Sequence, residues 1–339
     1  MKKQLASLLL LVGAMTIQAQ QPVESQWLDI DYVGDNIEGH KLDIYLPSVK
    51  KDSYPAVVLI YGSAWFANNA KKMAFDSMGK QLLDAGFAVV SINHRASVEA
   101  KYPAQIQDVK AAVRYVRANA DKYKIDPSFI GITGFSSRGH LSSLAGTTNG
   151  VKTMTSGDVT VDIEGNLGDY TSASSDVNAV VDWFGPIDMS RMENCNTTKG
   201  ADSPEAMLIG GAPADNLDMI KLLNPMTYID ANDPKFIVIH GDADPVVPYC
   251  QSEYFADALN AIQDAIQKGL VLAGHDISAG GMITALLEMC FANVEGGLEV
   301  NLDKLSEQDI VKILFAENPG ILVQGKDKKA FEELMEEAG

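Results

Sequence analysis

The sequence predicts an α/β fold: a mostly parallel sheet with helices on both faces, followed by a small C-terminal α/β lobe. Two observations carry this. Continuous apolar runs recur at 55–61, 87–92, 129–132, 179–184 and 236–239, the mark of strands buried on both faces. Helix-periodic segments lie between them, most clearly over 105–120, where Val109, Ala112, Val113 and Val116 follow the i, i+3, i+4, i+7 spacing. Strands alternating with helices build a parallel sheet, and ligands then bind at the carboxyl ends of the strands.

Taken in order, Met1-Lys2-Lys3 and the apolar stretch Leu5 to Ile17, ending at the small residue Ala19, read as a secretory signal over 1–19. The alternative is an uncleaved anchor. An exported protein follows, with no membrane association after cleavage. Trp27 to Val33 and Leu42 to Leu46 are short alternating runs parted by Gly34-Asp35 and Glu38-Gly39, which predicts an antiparallel hairpin. The first buried strand, 55–61, ends in Tyr61-Gly62-Ser63-Ala64-Trp65, a turn of small residues whose N–H groups can approach a ligand closely. After the strand at 129–132 the chain turns sharply at Gly134 and enters a helix-compatible segment, with Ser136 at the corner. A serine there is pushed out of the sheet beside the N–H groups of the helix's first turn, which is a nucleophile's position. The pattern is nearly G-x-S-x-G, but Arg138 holds the second glycine position and Gly139 follows one residue late. That arginine either points outward or pushes the helix away and fills the pocket with charge. The run at 236–239 leads to His240-Gly241-Asp242-Ala243-Asp244-Pro245, a turn carrying two carboxylates.

The bulk properties set outer limits. With 339 residues there is room for one large domain, read as 20–261, and a smaller piece, 262–339. A formal charge of −18 argues against nucleic acid and anionic membrane surfaces as partners, since both need a basic patch. A small or weakly charged substrate fits better. The histidines and cysteines show no metal spacing, so no cofactor or metal is implied. Three cysteines remain, Cys195, Cys250 and Cys290. Export predicts one bridge, Cys195 to Cys250, because both fall in loops beside the presumed active face.

Several of these segments together resemble a known family. Tyr61-Gly62-Ser63-Ala64-Trp65, Asn93-His94-Arg95, Tyr102-Pro103-Ala104-Gln105 with Asp108, Gly134-Phe135-Ser136-Ser137, Trp183-Phe184-Gly185-Pro186, Ser203-Pro204-Glu205 and His240-Gly241-Asp242-Ala243-Asp244 are similar to a secreted α/β-hydrolase of the carboxylesterase type common in Bacteroidetes, in its feruloyl- and acetyl-esterase-like branch. The resemblance spans roughly 25 to 260. It implies the α/β-hydrolase fold, a Ser-His-Asp triad and a small-molecule or polysaccharide ester as substrate. Ser136 is then the nucleophile, Ser63 or Ala64 with Ser137 the oxyanion donors, and Asp244 the acid. Asp242 is assigned to capping its own turn, and Asp188 is a weaker competitor.

From about Ile262 the chain changes character. Gln267 to Gly281, Asn293 to Gly297 and Phe315 to Gly320 resemble part of phosphoribosylformylglycinamidine synthase, a purine-biosynthesis enzyme, without that family's nucleotide-binding and glutaminase parts. The chain therefore reads as a fusion. The consequence falls on the base. Of five histidines, His40 lies in the early hairpin, His94 and His140 match family positions with a structural role, and His240 reads as a strand-end hydrogen-bonding group. His275 remains, after the apolar run Leu270 to Leu272, and in α/β-hydrolases the base comes last in the chain on a loop after a final strand. It is either the triad base or a packing residue of the added lobe. The expected activity is an exported serine carboxylesterase; the alternative is a catalytically inactive hydrolase scaffold carrying a foreign segment.

Overall fold

A computed structural model describes residues 26–267, 271–276, 321–325 and 329–330, with backbone alone in 262–276 and 321–325. In chain order the elements are β1 (Gln26–Asp31), β2 (Lys41–Tyr45), β3 (Tyr54–Ile60), α1 (Lys71–Ala74), α2 (Lys80–Asp84), β4 (Ala88–Ile92), α3 (Ala104–Ala118), α4 (Ala120–Tyr123), β5 (Ile125–Phe135) and α5 (Ser137–Thr147). Then follow β6 (Thr153–Ser156), β7 (Val159–Asp162), β8 (Ala179–Trp183), α6 (Pro204–Ile209), α7 (Leu217–Leu223), β9 (Lys235–Ile239), α8 (Cys250–Gln267), β10 (Val271–Asp276) and β11 (Ile321–Gly325).

Seven strands form the main sheet in the order β1-β2-β4-β3-β5-β8-β9. The five from β4 to β9 pair in parallel, while β1 and β2 form the expected antiparallel hairpin and β2 joins β4 antiparallel. Side chains on β3 alternate between two cores, as strand geometry requires. Ala56, Val58 and Ile60 meet α3 and α5 through Val109, Val113, Leu141 and Leu144, and Leu59 faces Ala74 and Leu83 of α1 and α2. Helices thus cover both faces. The charged residues of α3 are absorbed as well: buried Lys110 and Arg114 both pair with Glu164.

Two expectations change. The run at 236–239 was expected to be buried on both faces, yet Ile237 is 58% and Ile239 36% exposed. β9 is the edge strand of the sheet, and among the described residues only one face is packed, where Phe236 and Val238 meet Phe255 of α8. A hairpin absent from the sequence reading, β6–β7, sits between α5 and β8. The strand expected near 270–272 forms as β10, paired antiparallel with β11, and the pair makes a separate two-stranded sheet.

Candidate active site

The site begins with a backbone constraint. β5 must leave the sheet and enter α5 without an intervening loop, and Ser136 takes the strain, with φ 53° and ψ −126°. A non-glycine residue reaches such a conformation only when its surroundings impose it. Two backbone hydrogen bonds do so: Ser136 N–H donates to Trp183 O at 2.8 Å, and His140 N–H donates to Ser136 O at 3.1 Å. Ser136 itself is half-buried, and its hydroxyl has no hydrogen-bond partner among the described residues.

Glycines make the corner possible. A Cβ on Gly134 would stand 2.5 Å from Arg138 O, so no side chain fits inside the turn. A Cβ on Gly139 would lie 2.1 Å from Asp182 Oδ1 and 2.9 Å from Trp183 O. The late glycine is therefore the one that lets α5 approach β8. Asp182, which the sequence reading passed over, is fully buried beneath this contact. It accepts from Ser143 Oγ at 3.0 Å and Gly185 N–H at 2.9 Å, and burial pushes its carboxyl up to about 7. Its only sequence signal was an acid inside an otherwise apolar strand.

The turn after β3 leans on the elbow. Ala64 and Trp65 both have positive φ, 50° and 60°. Ser63 N–H and Trp65 N–H each donate to Ser137 Oγ at 3.3 Å. Of the three expected oxyanion donors, Ser63 N–H is thus engaged by a neighbouring hydroxyl. Ala64 N–H and Ser137 N–H have no hydrogen bond among the described residues, Ser137 standing at the first position of α5, where helix N–H groups lack intrahelical partners. Ser137 directly follows the corner, and Ala64 belongs to the turn whose Gly62 packs against Ser136.

Arg138 follows neither route the sequence left open. It is buried, 1% exposed, and folds back under the turn. Nη1 donates to Ser63 Oγ at 2.5 Å and Ser137 Oγ at 3.0 Å, and Nη2 donates to Ala67 O at 2.8 Å. The helix is not displaced, because Gly134 and Gly139 make both close backbone approaches.

On the far side of the elbow is the turn after β9. Asp244 Oδ1 accepts from Val246 N–H at 2.8 Å and Val247 N–H at 3.0 Å, while Oδ2 stands 3.7 Å from His240 Nε2. The capping role expected of Asp242 therefore falls to Asp244, and Asp242 is exposed. The reason is geometric: a carboxylate caps N–H groups two and three residues ahead, and it is after Asp244 that the chain turns back. His240 is occupied at both nitrogens, Nδ1 by Ser252 Oγ at 2.7 Å and Nε2 by Val247 O at 3.0 Å. Asp188 is also committed, accepting from Ser190 N–H and from Arg191 Nε at 2.7 Å.

The other histidines are built into the scaffold. His40 is held between Asp35 and Asp108, at 2.8 and 3.2 Å. His94 is buried against Arg95 O, and burial holds its pKa well below the usual histidine value. His140 bonds Leu223 O at 2.8 Å, and burial lowers its pKa to about 4. The backbone of His275 lies within β10, opposite Leu322, and not on a loop after that strand; its side chain lies outside the described residues.

The aromatic groups at the strand ends complete the surroundings. Phe135 packs against Tyr61, Trp183 and Phe184, and Phe184 against His240. Cys195 and Cys250 form the expected disulfide, although Cys250 opens α8 and does not sit in a loop. Beside it, Gln251 accepts from Ile187 and Asp188 N–H, so the start of α8 anchors the segment after β8. Among the described residues no cluster of histidine, cysteine and acid side chains is arranged to hold a metal ion, and no helix is long and apolar enough to cross a membrane.

A strained serine between β5 and α5, on a sheet of this order with an acid turn after β9, defines the α/β-hydrolase class. Within it, the chain belongs to the BD-FAE family, whose model matches residues 42–259. Similar solved structures include the bifunctional GH43-CE of Bacteroides eggerthii, 73% identical with a TM-score of 0.69, covering 70% of this chain and 30% of that one. Another is a truncated carbohydrate esterase from gut microbiota, 59% identical with a TM-score of 0.69, covering 73% and 85%. Among curated relatives, esterase LipQ of Mycobacterium tuberculosis is 32% identical over 205 residues, 60% of this chain and 45% of that protein. The chain spans about half the length of the curated esterases it matches.

The C-terminal part matches another family, AIR synthase related protein, C-terminal domain, over residues 245–339. Over 77 residues it is 43% identical to a probable phosphoribosylformylglycinamidine synthase of Caenorhabditis elegans, 22% of this chain and 6% of that protein. This second match overlaps the first over residues 245–259, and Asp244 is the last residue before it.

Proposed function

We propose that this chain is an exported serine carboxylesterase acting on small or carbohydrate-linked acyl esters. The observation that carries the reading is Ser136, held at φ 53° at the corner between β5 and α5, against Gly62 of the turn after β3. In the reaction, Ser136 Oγ attacks the ester carbonyl while its proton passes to a base, for which His275 is the candidate and Asp244 the group that orients it. The carbonyl oxygen becomes an anion held by Ala64 and Ser137 N–H, each worth about 3 kcal/mol in sites of this kind. Collapse expels the alcohol, which takes the proton from the base. Water then attacks the acyl-enzyme by the same route and releases the acid.

The carbohydrate side of this reading is supported by the two similar solved structures, one named a carbohydrate esterase and the other a bifunctional GH43-CE protein. Export is supported by the basic and apolar residues over 1–19 and by the Cys195–Cys250 pair, since such bridges persist in oxidising compartments. The test is hydrolysis of p-nitrophenyl acetate and of acetylated xylo-oligosaccharides by the whole chain and by Ser136→Ala. Activity lost in the variant supports the reading; a wild type that cleaves neither substrate overturns it.

A specific observation favours a second reading, a hydrolase scaffold without turnover. The candidate base comes from the segment that matches the purine-synthesis family, which follows Asp244 directly. On this reading Ser136→Ala changes nothing in the same assay.

A further inference from the structure

A buried arginine ordinarily lies against a carboxylate, because an unpaired charge is costly to remove from water. Arg138 does not. It is 1% exposed, its three hydrogen bonds go to Ser63 Oγ, Ser137 Oγ and Ala67 O, and its Nε has no partner. No carboxylate pairs with it among the described residues. The nearby imidazole of His94 is itself held neutral, first by burial and then by the charge of Arg138. Burial brings the guanidinium pKa down to about 9, which leaves it charged at neutral pH.

Its acceptors form a pattern. Ser63 and Ala67 belong to the turn after β3, and Ser137 is the first residue of α5. The guanidinium bridges the two segments that carry the open N–H donors, Ala64 and Ser137. Ser137 Oγ, fixed by Arg138, in turn receives Ser63 N–H and Trp65 N–H, the residues on either side of Ala64. Ala64 is thus held between two residues tied to a hydroxyl that Arg138 also holds.

We propose that Arg138 is a positioning residue of the oxyanion site: it clamps the turn at 61–67 to the elbow and places an uncompensated positive charge against the two segments that carry the open donors. The inference rests on the serine-esterase reading and adds to it. The negative charge that develops on the carbonyl oxygen is then met by oriented N–H groups and by a fixed cation in a poorly screened interior. Neutral ester in the ground state gains little from either.

The experiment compares wild type, Arg138→Met and Arg138→Lys, each checked for folding by circular dichroism and thermal melting. It measures kcat and KM for p-nitrophenyl acetate and the inhibition constant of phenylboronic acid, whose anionic adduct with the serine mimics the tetrahedral intermediate. Arg138→Met is expected to lower kcat by on the order of 10²-fold and weaken boronate by a similar factor, with KM moving less than threefold. Arg138→Lys, which keeps the charge without the fork, recovers part of both. A folded Arg138→Met with unchanged kcat and boronate affinity overturns the proposal and leaves the esterase reading standing. Losses that fall on KM alone also overturn it. A wild type with no turnover and no boronate binding sinks the esterase reading, and this inference with it.

Discussion

Gly62 lies directly against Ser136: a Cβ placed on the glycine would come 2.5 Å from Phe135 O and 3.1 Å from Ser136 Cβ. The turn after β3 and the Ser136 corner are thus in direct contact, with no side chain between them. Gly62→Ala must push the turn away. Since a displacement near 1 Å at such a site costs on the order of 10²-fold in rate, kcat for p-nitrophenyl acetate should fall by that order while the protein stays folded. Unchanged kcat would mean that the turn takes no part in the reaction.

Asp244 and Asp242 separate cleanly by mutation. Asp244→Asn keeps an acceptor for Val246 and Val247 N–H, so the turn survives, but the negative charge that would orient and stabilise an imidazolium is gone. On the triad account kcat falls by up to about 10⁴-fold, the effect of the equivalent change in well-studied triads. Asp242→Asn, at an exposed position, should leave kcat within about twofold. Steady-state kinetics on the two variants decides, and equal effects would reject Asp244 as the acid.

The Cys195–Cys250 bridge joins positions 55 residues apart. Closing a loop of that length removes entropy from the unfolded chain worth about 4 kcal/mol at 25 °C. A Cys195→Ala/Cys250→Ala double variant should lose stability of that order in urea melts, and reductant should act on the wild type alone. A variant as stable as wild type would show that the bridge contributes nothing.

His140 makes a prediction about acid. Its folded pKa, about 4, lies below the unfolded value of roughly 6.5, so between these values the unfolded chain binds the extra proton. Stability from this group is complete above about pH 6.5 and falls as the pH drops toward 4, by about 2 kcal/mol at pH 5. His94, lowered in the same direction, adds to the slope. His140→Gln should be less stable at pH 7 but flatter between pH 7 and 5 in urea melts. Parallel pH profiles for variant and wild type would contradict the assignment.

How much of this was legible in the sequence differs by residue. Long apolar runs gave the parallel strands because a strand buried on both faces needs apolar residues at every position. Ser136 was legible because a glycine immediately before a strand-to-helix corner has few other uses. The burial of β9 was not, since the run at 236–239 does not say whether a neighbour covers its second face. The β6–β7 hairpin was missed although Gly157-Asp158 between two threonine- and valine-bearing segments is a turn signal; its strands are too short and polar to stand out. Arg138 could not be read locally at all. Its direction is set by Ser63 and Ala67, some 70 positions earlier in the chain, and no local pattern carries that contact.

The central claim is that Ser136 is a live nucleophile with a working base. Treating the whole chain with a fluorophosphonate and mapping the adduct by peptide mass spectrometry tests it most directly. One adduct, on Ser136, formed by wild type and strongly slowed in His275→Ala, is the predicted result. An unlabelled Ser136, or labelling indifferent to His275, would contradict it.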